Sequence, residues 1–152
     1  MRDLPDDFRD LLVSLADAKV RFLVVGGYAV AFHGHARATK DLDIYVEPGA
    51  DNAARVERGL TDFGAPLRTL GIRRDDFEHP GTIVQLGVPP LRIDLLTTAD
   101  GISFDEAWSS RDSLEIDGRT IAVIGHDALI KNKLASGRHQ DLADVEALRG
   151  DH

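Results

Sequence analysis

Hydrophobic and polar residues alternate along the chain with two periods, and each period predicts one kind of element. Apolar residues three or four positions apart predict amphipathic helices, whereas short apolar or alternating runs predict strands. The first pattern predicts helices over residues 6–18, 28–34, 51–63, 104–108, 127–134 and 139–149. The second pattern predicts strands over residues 21–25, 41–47, 82–88, 91–97, 113–116 and 119–124. We therefore predict an α/β fold (α+β by strict class), with a mixed sheet flanked by helices and a helical C-terminal part over about 126–149.

Turn-forming residues separate several of these elements. Pro48-Gly49 ends the second strand, Pro89-Pro90 separates the third from the fourth, and Asp117-Gly118 predicts a hairpin between the last two. Residues 66–80 mix arginines with acidic residues and follow neither period, so we expect a loop or a short strand there.

Length and composition limit the classes of protein that fit the sequence. The 152 residues, 43% of them hydrophobic, suffice for one core, and we predict a single domain over residues 1–152. The absence of cysteine excludes a disulfide framework, a thiolate zinc site and a cysteine nucleophile. The net charge of −8 argues against broad attraction to nucleic acid, but the 18 Lys and Arg residues can still form a local basic pocket. Without a signal-peptide pattern or an apolar run that could cross a bilayer, we expect a cytoplasmic protein with no membrane partner.

Acidic residues interrupt two of the predicted strands. Asp41 and Asp43 alternate with hydrophobic residues, so both side chains should lie on one face of a strand. Two neighbouring carboxylates repel unless a cation lies between them, and a hard divalent ion such as Mg²⁺ meets that need. For this pair alone, a solvated strand face is the stronger interpretation. Asp94 changes it, because a carboxylate inside an apolar run is rarely buried unless it is paired or metal-bound.

The first strand ends at Gly26-Gly27, just before a predicted helix. Backbone N–H groups at such a turn can contact a phosphate. A polar loop with Arg37, Thr39 and Lys40 follows, and neither the dinucleotide fingerprint nor the Walker A pattern is present. A phosphate-binding turn beside paired carboxylates predicts nucleotide chemistry.

In their order, these motifs resemble the signature of the DNA polymerase β-like nucleotidyltransferase superfamily. Gly26-Gly27 is followed after thirteen residues by the run Asp41–Ile44, and later by Ile93–Leu95. The chain is most similar to the small prokaryotic branch, which includes abortive-infection toxin-like and lincosamide-type nucleotidyltransferases. Residues 129–145 also fit this branch, so the resemblance extends over roughly the whole chain by motif order.

This resemblance implies an activity and a set of site residues. The reaction would move a nucleoside monophosphate from a nucleoside triphosphate to an acceptor and release pyrophosphate, with Mg²⁺ or Mn²⁺ as cofactor. The implied catalytic and metal-binding residues are Asp41, Asp43 and Asp94, with Asp94 as the base. The implied nucleotide-binding residues are Gly26, Gly27, Arg37, Thr39 and Lys133. The acceptor could be a small molecule, a protein side chain or an RNA 3′ end, and an antitoxin-type protein is a candidate partner.

Gly27 departs from the family pattern, because many members have Ser after the first glycine. We expect an ordinary φ at Gly27, since L-residues such as Ser avoid positive φ. The missing hydroxyl keeps a second hypothesis open, in which the fold binds a nucleotide or a partner protein without turnover. Three intact carboxylates argue against that alternative.

Some polar residues have two interpretations. Lys131 and Lys133 could bind phosphate or could lie on a solvated helix face, and the family pattern favours Lys133. Arg138 could offset triphosphate charge or simply pair with Asp141 three residues later.

Two aromatic groups and a histidine pair are also ambiguous. Tyr45 shares the strand face of Asp41 and could border the nucleotide or be a plain sheet-face aromatic, and Trp108 is expected in the core. His33 and His35 could suggest a metal site. We favour a helix-end pair, because the sequence has no second His cluster with the spacing of zinc ligands.

Overall fold

The computed structural model describes residues 4–35, 39–87 and 91–150. Within these ranges the helices are Asp6–Asp17 (α1), Gly26–Phe32 (α2), Ala50–Phe63 (α3), Leu67–Leu70 (α4), Phe104–Ser109 (α5), His126–Ser136 (α6) and His139–Arg149 (α7). The strands are Phe22–Val25 (β1), Asp41–Val46 (β2), Ile83–Leu86 (β3), Arg92–Leu96 (β4), Asp112–Ile116 (β5) and Arg119–Val123 (β6). Among the described residues, none of the helices is both long and apolar enough to cross a membrane.

The six strands form one mixed sheet in the order β3-β4-β2-β1-β6-β5. The β2–β4 and β1–β6 pairs are parallel, and the other three pairs are antiparallel. The predicted fold class, a mixed sheet with helices and a helical C-terminal part, is confirmed. The interior strands β2 and β4 lie side by side, which brings their polar residues together.

The hydrophobic core is built where helices α1 and α3 pack on each other and on the sheet. Helix α1 buries Phe8, Leu11 and Leu15 on one face, as its period predicts. Gly59 allows α3 to approach closely, because a Cβ there would lie 2.9 Å from Leu15 Cδ2. Ser14 Oγ donates a hydrogen bond of 2.7 Å to the Gly59 carbonyl at this contact.

Residues 66–80 differ from the expected loop or strand. They form α4 and a 3₁₀ turn over Arg74–Phe77. The reason is tertiary: Phe77 and Ile72 are buried at 1% and 9% exposure, so the segment folds back onto the core. The predicted hairpin is confirmed, with positive φ at both Asp117 and Gly118 between β5 and β6. The predicted turn at Pro89-Pro90 lies outside the described residues.

Candidate active site

The three aspartates share one face of the sheet. In the parallel register between β2 and β4, Asp43 is opposite Asp94 and Asp41 is opposite Arg92. Paired residues on neighbouring strands point to the same face, as do residues two apart on one strand. Asp94 is 9% exposed, as its apolar neighbours predicted. The carboxylates therefore converge, whereas Leu42 and Ile44 are fully buried on the other face.

The electrostatics of the three carboxylates are unfavourable for full ionisation. Burial, followed by the charges of Asp94 and Asp41, raises the pKa of Asp43 to about 7. Burial also raises the pKa of Asp94, while the nearby Arg92 guanidinium acts in the opposite direction. The neighbouring Asp94 carboxyl group also favours the protonated form of Asp43. Near neutral pH, burial and the neighbouring carboxylates therefore favour a retained proton on Asp43.

Arg92 supplies part of the missing charge. Its Nη2 donates a hydrogen bond of 3.0 Å to Asp41 Oδ2, and its Nε lies 3.5 Å from Asp94 Oδ1. Among the described residues, no group of three His, Cys, Asp or Glu side chains has the arrangement of a metal site. The guanidinium between Asp41 and Asp94 is consistent with that result. The donor set still suits a hard cation, because Asp94 Oδ1 is buried without a hydrogen-bond partner in the described part of the chain.

The glycine turn adjoins the carboxylates. Gly26 has a φ of +66°, and a Cβ there would collide with the Asp43 carboxylate. Both facts require glycine at this position. Gly27 is buried and does not share the positive φ, so the expected ordinary φ at Gly27 is confirmed. The strict constraint therefore falls on Gly26, which sequence analysis treated as equivalent to its neighbour.

A second charged cluster lies where α6 meets α7. Lys133 is 4% exposed, and its Nζ lies 3.1 Å from Asp141 Oδ1 and 3.0 Å from Asp144 Oδ2. Arg138 Nε donates a hydrogen bond of 2.8 Å to Asp141 Oδ2, so the predicted Arg138–Asp141 pair is confirmed. Lys131, in contrast, is exposed and pairs with Glu106. The solvated-face interpretation is therefore correct for Lys131 and wrong for Lys133.

Asp141 is the opposite of Asp43 in its ionisation. Burial alone would raise the pKa of Asp141, but hydrogen bonds from Arg138 and Lys133 outweigh burial and lower this pKa to about 2. We call Lys133, Arg138, Asp141 and Asp144 the C-terminal ion cluster.

The carboxylate face and the C-terminal ion cluster border one cleft of about 960 Å³. Its lining includes Gly26, Gly27, Thr39, Asp41, Asp43, Arg92, Asp94, Lys133, Arg138 and Asp141. Of the predicted site residues, only Arg37 lies outside the described residues. The roles assigned to the others stay predictions, but their positions border a common space.

The ambiguous aromatic residues lie elsewhere. Tyr45 lines a neighbouring cavity of about 410 Å³, packs edge to face on Phe104, and donates a hydrogen bond to the Ile102 carbonyl. Trp108 is only partly buried, stacks on Phe104 and is contacted by Arg111, whose Cζ lies 3.9 Å from the ring centroid. Trp108 therefore packs against the core, as expected, but at its edge.

The histidines follow the favoured interpretation. His33 directly follows helix α2, and its Nε2 lies 2.8 Å from the Ile124 carbonyl oxygen. That contact fixes the end of α2 against the residue after β6.

Sequence analysis missed two features of the site. Arg92 was included in the predicted strand without a role, although it is two residues from Asp94 and must share its face. The spacing of two is a signal that could have identified it. The second partner of Lys133, Asp144, became apparent only from the packing of α7 against α6.

The fold and the arrangement of the site are those expected of a nucleotidyltransferase, and comparison with known proteins supports this class. Over residues 3–149 the chain matches the family described as "Nucleotidyltransferase of unknown function" (DUF6036). The chain belongs to this family, and the predicted membership among nucleotidyltransferases is confirmed. The search of curated proteins finds no significant match.

Solved structures show the same fold at low sequence identity. TM1012 of Thermotoga maritima, assigned as a nucleotidyltransferase, has a TM-score of 0.61 and 16% identity, with 95% of this chain and 91% of that chain covered. The lincosamide antibiotic adenylyltransferase LnuA has a TM-score of 0.59 and 16% identity, with 98% of both chains covered. The antibiotic-resistance factor ANT(2'')-Ia has a TM-score of 0.57 and 14% identity, with 93% of this chain and 80% of that chain covered.

Proposed function

We propose that this protein moves a nucleoside monophosphate from a nucleoside triphosphate to a hydroxyl-bearing acceptor and releases pyrophosphate, in a reaction that depends on Mg²⁺ or Mn²⁺. The observation that carries this proposal is the convergence of Asp41, Asp43 and Asp94 on one sheet face that borders a large cleft. Membership in a nucleotidyltransferase family supports the same reaction type.

The carboxylate face suits a divalent ion by chemistry and by charge. Asp41, Asp43 and Asp94 supply carboxylate oxygens, and burial followed by the charges of Asp94 and Asp41 raises the pKa of Asp43 to about 7. When bound there, the ion would stabilise negative charge on the reacting phosphate and lower the pKa of the attacking hydroxyl.

Asp94 would act on the acceptor. The acceptor oxygen forms a bond to the α-phosphorus, the bond from that phosphorus to the bridging oxygen breaks, and pyrophosphate leaves with the bonding electron pair. The acceptor hydroxyl proton goes to Asp94, whose buried Oδ1 has no hydrogen-bond partner within residues 4–35, 39–87 and 91–150 and is able to accept it.

The other side of the cleft would hold the triphosphate. Arg138 is 79% exposed at its side chain and lies beside the buried Lys133, so both can offset phosphate charge. Gly26 and Gly27 border the same space, as does Thr39, and their backbone N–H groups or hydroxyl would contact phosphate oxygens. Arg37 is assigned to the same role from the family resemblance.

The acceptor defines the experiment. Wild-type protein would be incubated with each α-³²P-labelled nucleoside triphosphate, Mg²⁺, and separate protein, RNA and small-molecule fractions of a cell extract. We expect label in one fraction and equimolar pyrophosphate, both abolished by EDTA and by Asp94→Asn. Asp62→Asn, on the exposed surface of α3, should leave transfer unchanged.

Two outcomes would contradict the proposal. Transfer that survives both EDTA and Asp94→Asn would exclude metal-dependent catalysis at this face. Nucleotide binding without pyrophosphate release, with every acceptor fraction, would favour the non-catalytic module.

Co-purification of a specific protein that blocks transfer would identify the antitoxin-type partner.

A further inference from the structure

We propose that Arg92 is a built-in counter-cation of the carboxylate face, and that a divalent ion must displace its guanidinium to reach Asp41 and Asp94. The inference rests on the proposed function, because it takes these aspartates as metal ligands. Beyond the proposed function, it assigns Arg92 a role in setting the affinity of the protein for the divalent ion.

The register places Arg92 at the centre of the acidic face. Arg92 is the β4 partner of Asp41 and lies two residues before Asp94, so its side chain emerges between the two carboxylates. Its Nη2 is 3.0 Å from Asp41 Oδ2, and its Nε is 3.5 Å from Asp94 Oδ1. One guanidinium thus contacts carboxylates on two strands, which is the position that a shared cation would take.

The contact with Asp94 is incomplete as a structural salt bridge. Arg92 Nε and Asp94 Oδ1 are both buried, and neither has a hydrogen-bond partner among the residues that the structure describes. Their 3.5 Å separation meets the distance of an ion pair without the geometry of a hydrogen bond. Elsewhere in the chain, Arg119 donates two hydrogen bonds of 3.0 and 3.1 Å to Asp17. The contact between Arg92 and Asp94 therefore balances charge, but it leaves Arg92 Nε and Asp94 Oδ1 without a hydrogen bond to each other.

Arg92 has a route out of the cluster. Its side chain and that of Asp41 are 39% and 40% exposed, so the guanidinium can move into the cleft without opening the core. A released guanidinium would remain beside the space proposed for the triphosphate, and its planar fork suits phosphate oxygens. Metal and nucleotide should therefore bind more tightly together than separately.

The test measures Mg²⁺ alone, by calorimetric titration of metal-free protein. Arg92→Gln removes the charge and should tighten Mg²⁺ binding by on the order of tenfold, because a competing cation in direct contact is lost. Lys40→Gln is the matched control, since Lys40 is an exposed cation in the lining of the same cleft that precedes Asp41. This control should change the affinity by less than about threefold, because exposed charges are screened by solvent. An affinity for Arg92→Gln that is unchanged, or no tighter than for Lys40→Gln, would overturn the inference.

A second measurement uses wild-type protein and does not depend on a folded variant. The Nε–H resonance of Arg92 in ¹⁵N-labelled protein should shift as Mg²⁺ is added, because the guanidinium leaves Asp94. A resonance that stays fixed at saturating Mg²⁺ would show that Arg92 is a permanent structural partner. Asp43→Asn separates the two proposals: if it leaves wild-type Mg²⁺ binding unchanged, the metal site itself is misplaced. If it abolishes binding while Arg92→Gln has no effect, only the displacement of Arg92 is wrong.

Discussion

Asp43 on β2 and Asp141 on α7 border the same cleft, but their carboxyl groups ionise in opposite directions. Asp141 has two cations in hydrogen-bond contact, and its pKa falls to about 2. Asp43 is buried beside two carboxylates, and burial followed by their charges raises its pKa to about 7. The Asp141 carboxylate therefore has two cations in direct contact, whereas the Asp43 carboxyl group lies beside two like charges. Arg138 and Lys133 hold Asp141 ionised at neutral pH, whereas Asp43 titrates close to neutral pH, as functional carboxylates often do.

The largest expected effect would come from breaking the C-terminal ion cluster. Lys133→Met keeps the volume but leaves Asp141 and Asp144 buried without their shared cation, which should cost about 3–5 kcal/mol of unfolding free energy. Lys131→Met, at an exposed pair on the same helix, should change stability by less than about 0.5 kcal/mol. Chemical denaturation measures both, and equal losses would mean that the buried cluster has no special role.

The acid side of the stability profile tests Asp141 itself. Its pKa is depressed in the folded state, so its contribution is present above about pH 4 and is lost as pH falls toward about 2. Asp141→Asn should reduce stability at pH 7 by about 2 kcal/mol and flatten the decline in this window. The loss is smaller than for Lys133→Met because Asp144 still pairs with Lys133. An unchanged acid limb in urea melts would contradict the assigned pKa.

Asp43 should show the opposite pH dependence. Its pKa is raised in the folded state, so metal-free protein should lose stability as pH rises from about 4 through about 7. Asp43→Asn imitates the protonated group and should be more stable than wild type at pH 8 in EDTA, by about 1–2 kcal/mol. Near pH 4 the two proteins should match. A variant that is less stable at pH 8 would show that the carboxylate is already compensated.

The smallest effect separates the two turn glycines. Gly27→Ser at ordinary φ adds no positive-φ strain, so it should cost less stability than the same change at Gly26 and should keep or raise nucleotide affinity. Gly26→Ser should cost about 1 kcal/mol or more, because it adds positive-φ strain to a collision with Asp43. Thermal melting of the pair measures the difference. Equal losses at both positions would contradict the assigned backbone geometry.

Local patterns predicted the sheet and the carboxylate face correctly. Alternation around Asp41 and Asp43 gave their common face, and the apolar run around Asp94 gave its burial. Both signals are local, because strand periodicity decides which side chains share a face. The motif order then predicted the nucleotidyltransferase family.

Tertiary contacts account for what the sequence did not predict. The burial of Lys133 depends on α7 bringing two carboxylates to α6, which helix periodicity cannot indicate. The fold of residues 66–80 depends on Phe77 reaching the core from a segment that is otherwise polar. In both cases the deciding partner belongs to another element of the chain, so the pattern of a single segment does not indicate it.

The proposal that the carboxylate face binds a divalent ion is tested most directly by the melting temperature at pH 7.5 with and without Mg²⁺. Ligand binding to the folded state at about 100 times its Kd adds about 2.7 kcal/mol, so wild type should melt several degrees higher with saturating Mg²⁺. Asp43→Asn should lose most of this increase, whereas Asp62→Asn should keep it. An equal Mg²⁺ response in Asp43→Asn and wild type would show that the ion binds elsewhere.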